Sequence, residues 1–157
     1  MTLPKIGKKA PDFALSDQEG REHSPAIHKG GFVLVYFYPK DMTSGCTLEA
    51  EGFRDAFKEF SKRKITILGV SPDSAESHGK FCNKYNLPFP LLADIDKKAA
   101  HAYGVWVQKS MYGRTYMGIE RSSFLIDPKG VLVKEWRKVK PIDHPKEILE
   151  DFDAIKK

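Results

Sequence analysis

Apolar residues alternate along the chain between two periodicities. "GFVLVYFYP" (Gly31–Pro39) is an unbroken apolar, β-branched and aromatic run, which predicts a strand buried on both faces, as in the centre of a parallel sheet. Leu48, Phe53, Phe57 and Phe60 then recur at roughly helical spacing among charged residues, predicting a helix over Thr47–Lys62 packed on that sheet. "KITILGVSPD" (Lys64–Asp73) is the next strand, and its Ser-Pro-Asp ending offers Asp73 or Ser74 as N-cap of a helix running to about Asn86. "PLLAD" (Pro90–Asp94) predicts a short strand, and "KKAAHAYGV" a short helix stopping at Gly104. "SSFLIDPKGVLVKEW" reads as two strands of an antiparallel hairpin around the turn Asp127-Pro128-Lys129-Gly130. "DHPKEILEDFDAIKK" closes the chain as an amphipathic helix, with Asp143 or His144 ahead of Pro145 in its first turn. Strands alternating with helices imply an α/β sheet covered on both faces, and no repeat or linker divides it, so 1–157 is expected to be one domain.

Composition narrows the class of protein. Hydrophobic content of 41% with 30% charged residues is ordinary for a globular chain, and 157 residues suffice for one substantial core. A net charge of +5 and a pI near 9.1 raise nucleic acid as a partner. The lysines are nevertheless spread along the chain, and the densest basic stretches, "SKRK" (Ser61–Lys64) and "WRKVK" (Trp136–Lys140), sit at strand edges without any recognition-helix, RNP-like or zinc-finger pattern. No nucleic-acid partner is expected. "MTLPKIGKKAPDF" lacks the apolar core of a secretory signal, and no apolar run approaches the roughly 18 residues of a membrane helix. A cytoplasmic protein without a membrane partner is the expectation. Two cysteines do not make a disulfide scaffold; in a reducing compartment they are redox-active, metal-binding or plain core residues.

One of those cysteines stands where an α/β sheet keeps its chemistry. Sites of open α/β sheets lie beyond the carboxyl ends of strands, and Cys46 follows the first strand by a few residues. A helix starting near Thr43–Gly45 puts Cys46 in its first turn, where free N–H groups and the positive end of the macrodipole favour an anion. A thiolate there is a nucleophile. Thr43 and Glu49 lie three residues to either side, which brings a hydroxyl and a carboxylate to the cysteine's face of the helix. A carboxylate that close opposes a thiolate unless a cation intervenes, so an arginine is expected in the site. Pro39, having no N–H, helps to wall off one side. On the residues alone a second account stands beside this one, with Cys46 a small buried apolar residue and Thr43 a cap.

"YFYPKDMTSGCTLEA" resembles the peroxidatic signature P-x-x-x-T-x-x-C of the peroxiredoxins, in the form typical of the bacterioferritin comigratory protein, or peroxiredoxin Q, branch. The resemblance extends over nearly the whole chain, through "PDFAL", "ILGVSPDSAESHGKF", "LPFPLLAD", "MYGRTYMGIERSSFLIDPKG" and "WRKVK". It implies a thioredoxin-like fold, with a central mixed sheet flanked by helices, and a thiol peroxidase that reduces hydrogen peroxide and organic hydroperoxides. It also implies that the cation is Arg121, in "GIERSSFLID", that Thr43 bonds peroxide and thiolate, that Glu49 orients Arg121, and that Pro39 shields the oxidised sulfur. The chemistry calls for no cofactor and no metal.

The chain departs from the branch at two positions. Many members carry a second cysteine five residues after the first, where this chain has Glu51, and Ser44 replaces the proline usual in the motif. Another subset of the branch places its resolving cysteine on the following helix, where "SHGKFCNKYNLPF" offers Cys82. The resemblance thus implies a Cys46–Cys82 disulfide reopened by a thioredoxin-type reductant, in a monomer or weak dimer. Other readings remain: a one-cysteine peroxidase with Cys82 structural; a thioredoxin-like disulfide oxidoreductase, for which "SGCT" lacks C-x-x-C; and a metal site of Cys46, Cys82 and His78 or His101, without close-set ligand spacing.

Overall fold

The computed structural model describes residues 3–28 and 30–156. A small antiparallel hairpin, β1 (Leu15–Ser16) and β2 (Glu22–His23), precedes the main sheet. The long apolar run forms β3 (Phe32–Phe37), in which every residue after Phe32 is buried. After it come α1 (Ser44–Asp55), α2 (Phe57–Lys62), β4 (Ile65–Ser71), α3 (Ala75–Tyr85), β5 (Leu91–Ala93) and α4 (Lys98–Ala102). A hairpin of β6 (Trp106–Met111) and β7 (Arg114–Ile119) leads to β8 (Ser122–Ile126), β9 (Leu132–Trp136) and α5 (His144–Lys156). The main sheet runs β5-β4-β3-β8-β9, with β3, β4 and β5 parallel and β8 and β9 antiparallel.

β3 is the central strand, as its two-sided apolar pattern requires. Leu34, Tyr36 and Tyr38 meet Phe53 of α1, Phe60 of α2, Phe81 of α3, and Ile148 and Phe152 of α5 on one side. Val33, Val35 and Phe37 meet Ala99 and Ala100 of α4, together with Tyr103 and Ile119, on the other. Each fully buried aromatic or aliphatic side chain contributes about 1.5–3 kcal/mol of transfer free energy, so the two faces hold the helices by burial rather than by helix propensity. Gly69 of β4 lies opposite Tyr36, and a Cβ there would stand 3.0 Å from the Tyr36 ring and 2.7 Å from Leu91. The missing side chain is what lets the Tyr36 ring lie against the sheet and stack on Phe53 at 4.5 Å between centroids.

The predicted elements appear, with one of them divided and two hairpins, β1–β2 and β6–β7, added. α1 starts at Ser44, within the Thr43–Gly45 start that puts Cys46 in the first turn, and the helix expected to run on to Lys62 divides into α1 and α2 at Ala56, whose backbone (φ −95°, ψ 3°) leaves the helical region. Ser74 is the cap of α3, its side chain accepting from Ser77 N at 3.1 Å, while Asn86 ends that helix in the left-handed conformation. The β6–β7 hairpin is additional to the sequence reading. Tyr112 and Gly113 both have positive φ (53° and 77°), the signature of a type I′ turn between paired antiparallel strands. Among the described residues no helix is long and apolar enough to cross a membrane.

Candidate active site

The segment between β3 and α1 holds the first of the two cysteines. β3 ends beneath Pro39, which is half-buried, and the first helical hydrogen bond of α1 runs from Thr47 N to Thr43 O at 2.9 Å. The N–H groups of Ser44, Gly45 and Cys46 therefore precede the ladder and point out of the positive end of a twelve-residue helix. Cys46 is buried, at 2% exposure, because Ala50 and Phe53 on the same helix are anchored in the core beneath it.

Arg121, in the junction between β7 and β8, reaches across to this turn. Its Nη2 lies 3.5 Å from Cys46 Sγ and its Nη1 donates to Glu49 Oε1 at 2.7 Å. One guanidinium thus joins the sulfur to the carboxylate three residues along the helix. Burial pushes the Glu49 carboxyl up to about 7, against the pull of Arg121. Burial also works against the charge of Arg121, but Glu49 and Cys46 outweigh it and leave the guanidinium raised above its ordinary value. Glu49 Oε2 has no hydrogen-bond partner among the described residues, and neither does the buried hydroxyl of Tyr36 below it in the core.

The expected residues divide into a cluster and its surroundings. Cys46, Glu49 and Arg121 are brought together. Thr43 is the N-cap residue of α1, but its hydroxyl makes no cap bond; it donates to Lys40 O at 2.8 Å. Ser44 is the exposed first residue of α1. Cys82 lies apart in α3, buried at 8% exposure in the same core cluster as Cys46, and both thiols are free. It borders a groove of about 500 Å³ lined by Gln18, Glu19, Gly79, Cys82, Asn83 and Leu87. Burial, then Asp41, Asp17 and Glu19, push its thiol up to about 12.

The proposed metal ligands do not assemble. Cys46 and Cys82 belong to one face of the sheet, while His101 is an exposed residue of α4 on the other. His78 is buried against Asp41 and Asp73, whose oxygens already accept from Tyr38, Ser77, Ser71 and the Asp41 N–H. These hydrogen bonds tie the Asp41 loop to the turn before α3 and to α3 itself.

Three contributors escape the sequence reading. A Cβ on Gly45 would lie 3.1 Å from Arg121 Nη2 and 3.5 Å from Pro141, so the glycine makes room for the guanidinium. Pro141 closes the outer side of that space. Lys109 of β6 is a second cation near the sulfur: burial and then Arg121 push its ammonium down, while Cys46 and Glu120 pull it back. Gly45 stands directly before Cys46 in "SGC", a spacing that signals close approach; Lys109 becomes visible only once the Tyr112-Gly113 hairpin is recognised.

Residues 6–135 match the AhpC/TSA family. The chain belongs to that family, and it is a peroxiredoxin. Peroxiredoxin Bcp of Bacillus subtilis is 53% identical over 150 residues, covering 96% of this chain and 95% of the relative. Among solved structures, the Xanthomonas campestris bacterioferritin comigratory protein, whose trapped-intermediate and ligand complexes concern its alkyl peroxide reduction activity, superposes with a TM-score of 0.90 at 39% identity, covering 98% of this chain and 100% of that one. Peroxiredoxin Q of Xanthomonas campestris, solved with one or the other of two cysteines replaced by serine, matches at 40% identity with TM-scores of 0.90 and 0.89, covering 97% and 95% of this chain and 99% and 98% of those. The fold is thioredoxin-like, and the activity of this peroxiredoxin is that of a thiol-dependent peroxidase drawing on a hydroperoxide and a reductant.

Proposed function

We propose that Cys46 is the peroxidatic nucleophile of a two-cysteine peroxidase in which Cys82 resolves the oxidised form and a thioredoxin-type reductant restores it. The observation that carries the reading is the Arg121 guanidinium held by Glu49 against Cys46 Sγ at the first turn of α1. Thiolate attack on the outer peroxide oxygen breaks the O–O bond, forming an S–O bond on Cys46 and releasing an alkoxide or hydroxide that takes up a proton. Arg121 and the Cys46 N–H supply donors where that negative charge develops. The Thr43 hydroxyl commits its proton to Lys40 O, so its lone pairs accept from the substrate's O–H. Pro39 borders the oxidised sulfur, and hydrogen peroxide and organic hydroperoxides are the proposed substrates, the latter in keeping with the alkyl peroxide reduction of the Xanthomonas relative.

In the second half of the cycle the Cys82 thiol attacks the sulfenic acid: an S–S bond forms, the S–O bond breaks, and the thiol proton leaves with the hydroxyl as water. The Xanthomonas peroxiredoxin Q mutants support this assignment, since their two replaced cysteines stand 36 positions apart, as Cys46 and Cys82 do. Because disulfide Cα atoms come within about 7 Å, α1 and α3 partly unwind in the reading offered. Ser44 in place of proline eases that step, which slower disulfide formation in Ser44→Pro tests. The protein acts in the cytoplasm as a monomer or weak dimer on this proposal.

The burial of Cys82 and its raised thiol favour a second reading, a one-cysteine peroxidase using an external thiol. Intact mass of the reduced protein after one equivalent of hydrogen peroxide separates the two. Loss of two hydrogens with a Cys46–Cys82 cross-link supports the two-cysteine cycle; oxygen gained on Cys46 alone supports the other, and no reaction sinks the assignment of Cys46.

A further inference from the structure

The loop that carries the peroxidatic threonine is tied to the helix that carries Cys82 through one buried pair. His78, in α3, has a side chain with no exposed surface. Its Nε2 lies 3.0 Å from Leu92 O in β5, and its Nδ1 lies 2.7 Å from Asp41 Oδ2. A carbonyl only accepts, so Nε2 bears a hydrogen, and a neutral imidazole would then present a bare lone pair at Nδ1. A contact of 2.7 Å between that lone pair and a carboxylate oxygen needs a proton between them. The pair therefore holds a shared proton, whether as imidazolium and carboxylate or as imidazole and carboxylic acid.

Asp41 is bound to the same region by further contacts. Tyr38 Oη donates to its Oδ1 and Ser77 Oγ to its Oδ2, both at 2.7 Å, and its own N–H donates to Asp73 Oδ2 at 2.8 Å. Two hydroxyls thus donate to the carboxylate that His78 also faces. Asp41 stands two residues before Thr43 and five before Cys46, and His78 one helical turn before Cys82. Neither the loop nor α3 can leave its folded position without pulling this pair apart. The chain's other buried histidine, His144, faces Ser123 and Glu147 and joins no such pair of segments.

We propose that Asp41 and His78 are positioning residues for the resolving step: a buried hydrogen-bonded clasp that keeps the peroxidatic loop and α3 folded together and whose release frees Cys82 to reach oxidised Cys46. This inference rests on the assignment of Cys82 as resolving cysteine. The titratable groups facing the clasp are Asp41 from the loop, Tyr38 just after β3, Asp73 from the turn before α3, and Cys82 further along α3; Tyr36 also senses the Asp41 charge. Tyr36 and Tyr38 are both raised well above ordinary phenols and stay neutral throughout. Breaking the His78–Asp41 contact leaves a buried carboxylate without that partner and opens the clasp, so resolution quickens when the contact is lost.

Two variants and two readouts test the clasp. His78→Ala removes the partner of Asp41; His78→Gln keeps a donor toward it. Hydrogen exchange of the α3 amides in the reduced protein reads opening without any disulfide, and stopped-flow fluorescence after a saturating pulse of hydrogen peroxide reads disulfide formation. The expected result is at least a fivefold rise in α3 exchange and in the resolving rate for His78→Ala. His78→Gln restores slower exchange and slower disulfide formation. Wild-type exchange in a folded His78→Ala protein, or exchange in His78→Gln as fast as in His78→Ala, overturns the clasp. Failure of the wild type to form the disulfide overturns instead the role of Cys82, and the exchange data still decide whether the clasp controls α3.

Discussion

The two cysteines are buried against the same face of one sheet, yet their surroundings are opposite. Cys46 meets a guanidinium at 3.5 Å, the open N–H groups of a helix start, and a second cation in Lys109. Cys82 lies in the interior of α3 and senses the carboxylates of Asp41, Asp17 and Glu19, which reinforce burial in keeping its thiol protonated. Donors face the Cys46 sulfur where charge develops during attack, and carboxylates with burial suppress the Cys82 thiolate, so the fold readies one sulfur and stores the other. On the proposed two-cysteine cycle this asymmetry orders the steps, because the stored thiol would join the chemistry only after its helix has moved.

Removing the cationic side of the comparison has the largest expected effect. Cys46→Ser abolishes peroxide reduction. Arg121→Ala leaves the sulfur in place but removes the donor aimed at the developing charge, and its second-order rate with hydrogen peroxide is expected to fall by about 10²–10³. A loss below threefold in stopped-flow measurements counts against the role given to Arg121. On the other side, Cys82→Ser removes the disulfide and turnover with a thioredoxin-type reductant, leaving Cys46 to pass on to sulfinic acid under excess peroxide. Full turnover in that variant assigns reduction to an external thiol. Alkylation sharpens the contrast further: in the folded reduced protein Cys82 is expected to resist iodoacetamide up to about pH 10, and to react readily once unfolded.

Glu49 links the contrast to stability. Its carboxyl releases a proton at 4.5 in an ordinary setting and at about 7 when folded. Between those values the folded state binds more protons than the unfolded one, so stability falls as pH rises through the window, by about 3 kcal/mol in all. Glu49→Gln is expected to remove that slope from urea-denaturation free energies measured from pH 4.5 to 8. It is also expected to slow the peroxide reaction by about tenfold, since Arg121 loses its anionic partner. An unchanged slope places the titration on another group.

Much of this arrangement is legible in the sequence, and what is not has a physical reason. The two-sided apolar run of Gly31–Pro39 announces the central strand, and the position of Cys46 after it announces a helix start. The need for a cation follows from charge alone, because Glu49 one turn from a thiolate demands a counterion. The separation of α1 from α2 at Ala56 carries no signal in the Phe53, Phe57 and Phe60 spacing, which fits an unbroken helix equally well. The hairpin that brings in Lys109 is signalled only by Tyr112-Gly113. Asp41 and His78 are 37 residues apart, and their contact depends on how α3 lies against the loop, which local periodicity does not encode.

The finest test of the cationic side is a single methyl group. A Cβ on Gly45 meets Arg121 Nη2 at 3.1 Å, tighter than ordinary van der Waals contact, and Pro141 at 3.5 Å on the other side blocks retreat. Gly45 lacks the positive φ that would make a side chain intrinsically strained, and alanine suits a helix better than glycine by about 1 kcal/mol. Backbone preference thus favours the substitution while the guanidinium opposes it. Because Nη2 is the atom that faces Cys46 Sγ, its displacement by a few tenths of an ångström falls on the reacting sulfur and not on the Nη1–Glu49 bond. Gly45→Ala is therefore expected to be as stable as the wild type or slightly more so, with a peroxide rate about three- to tenfold lower. A variant both stable and fully active shows that Arg121 shifts without loss, and that its charge rather than its placement serves Cys46.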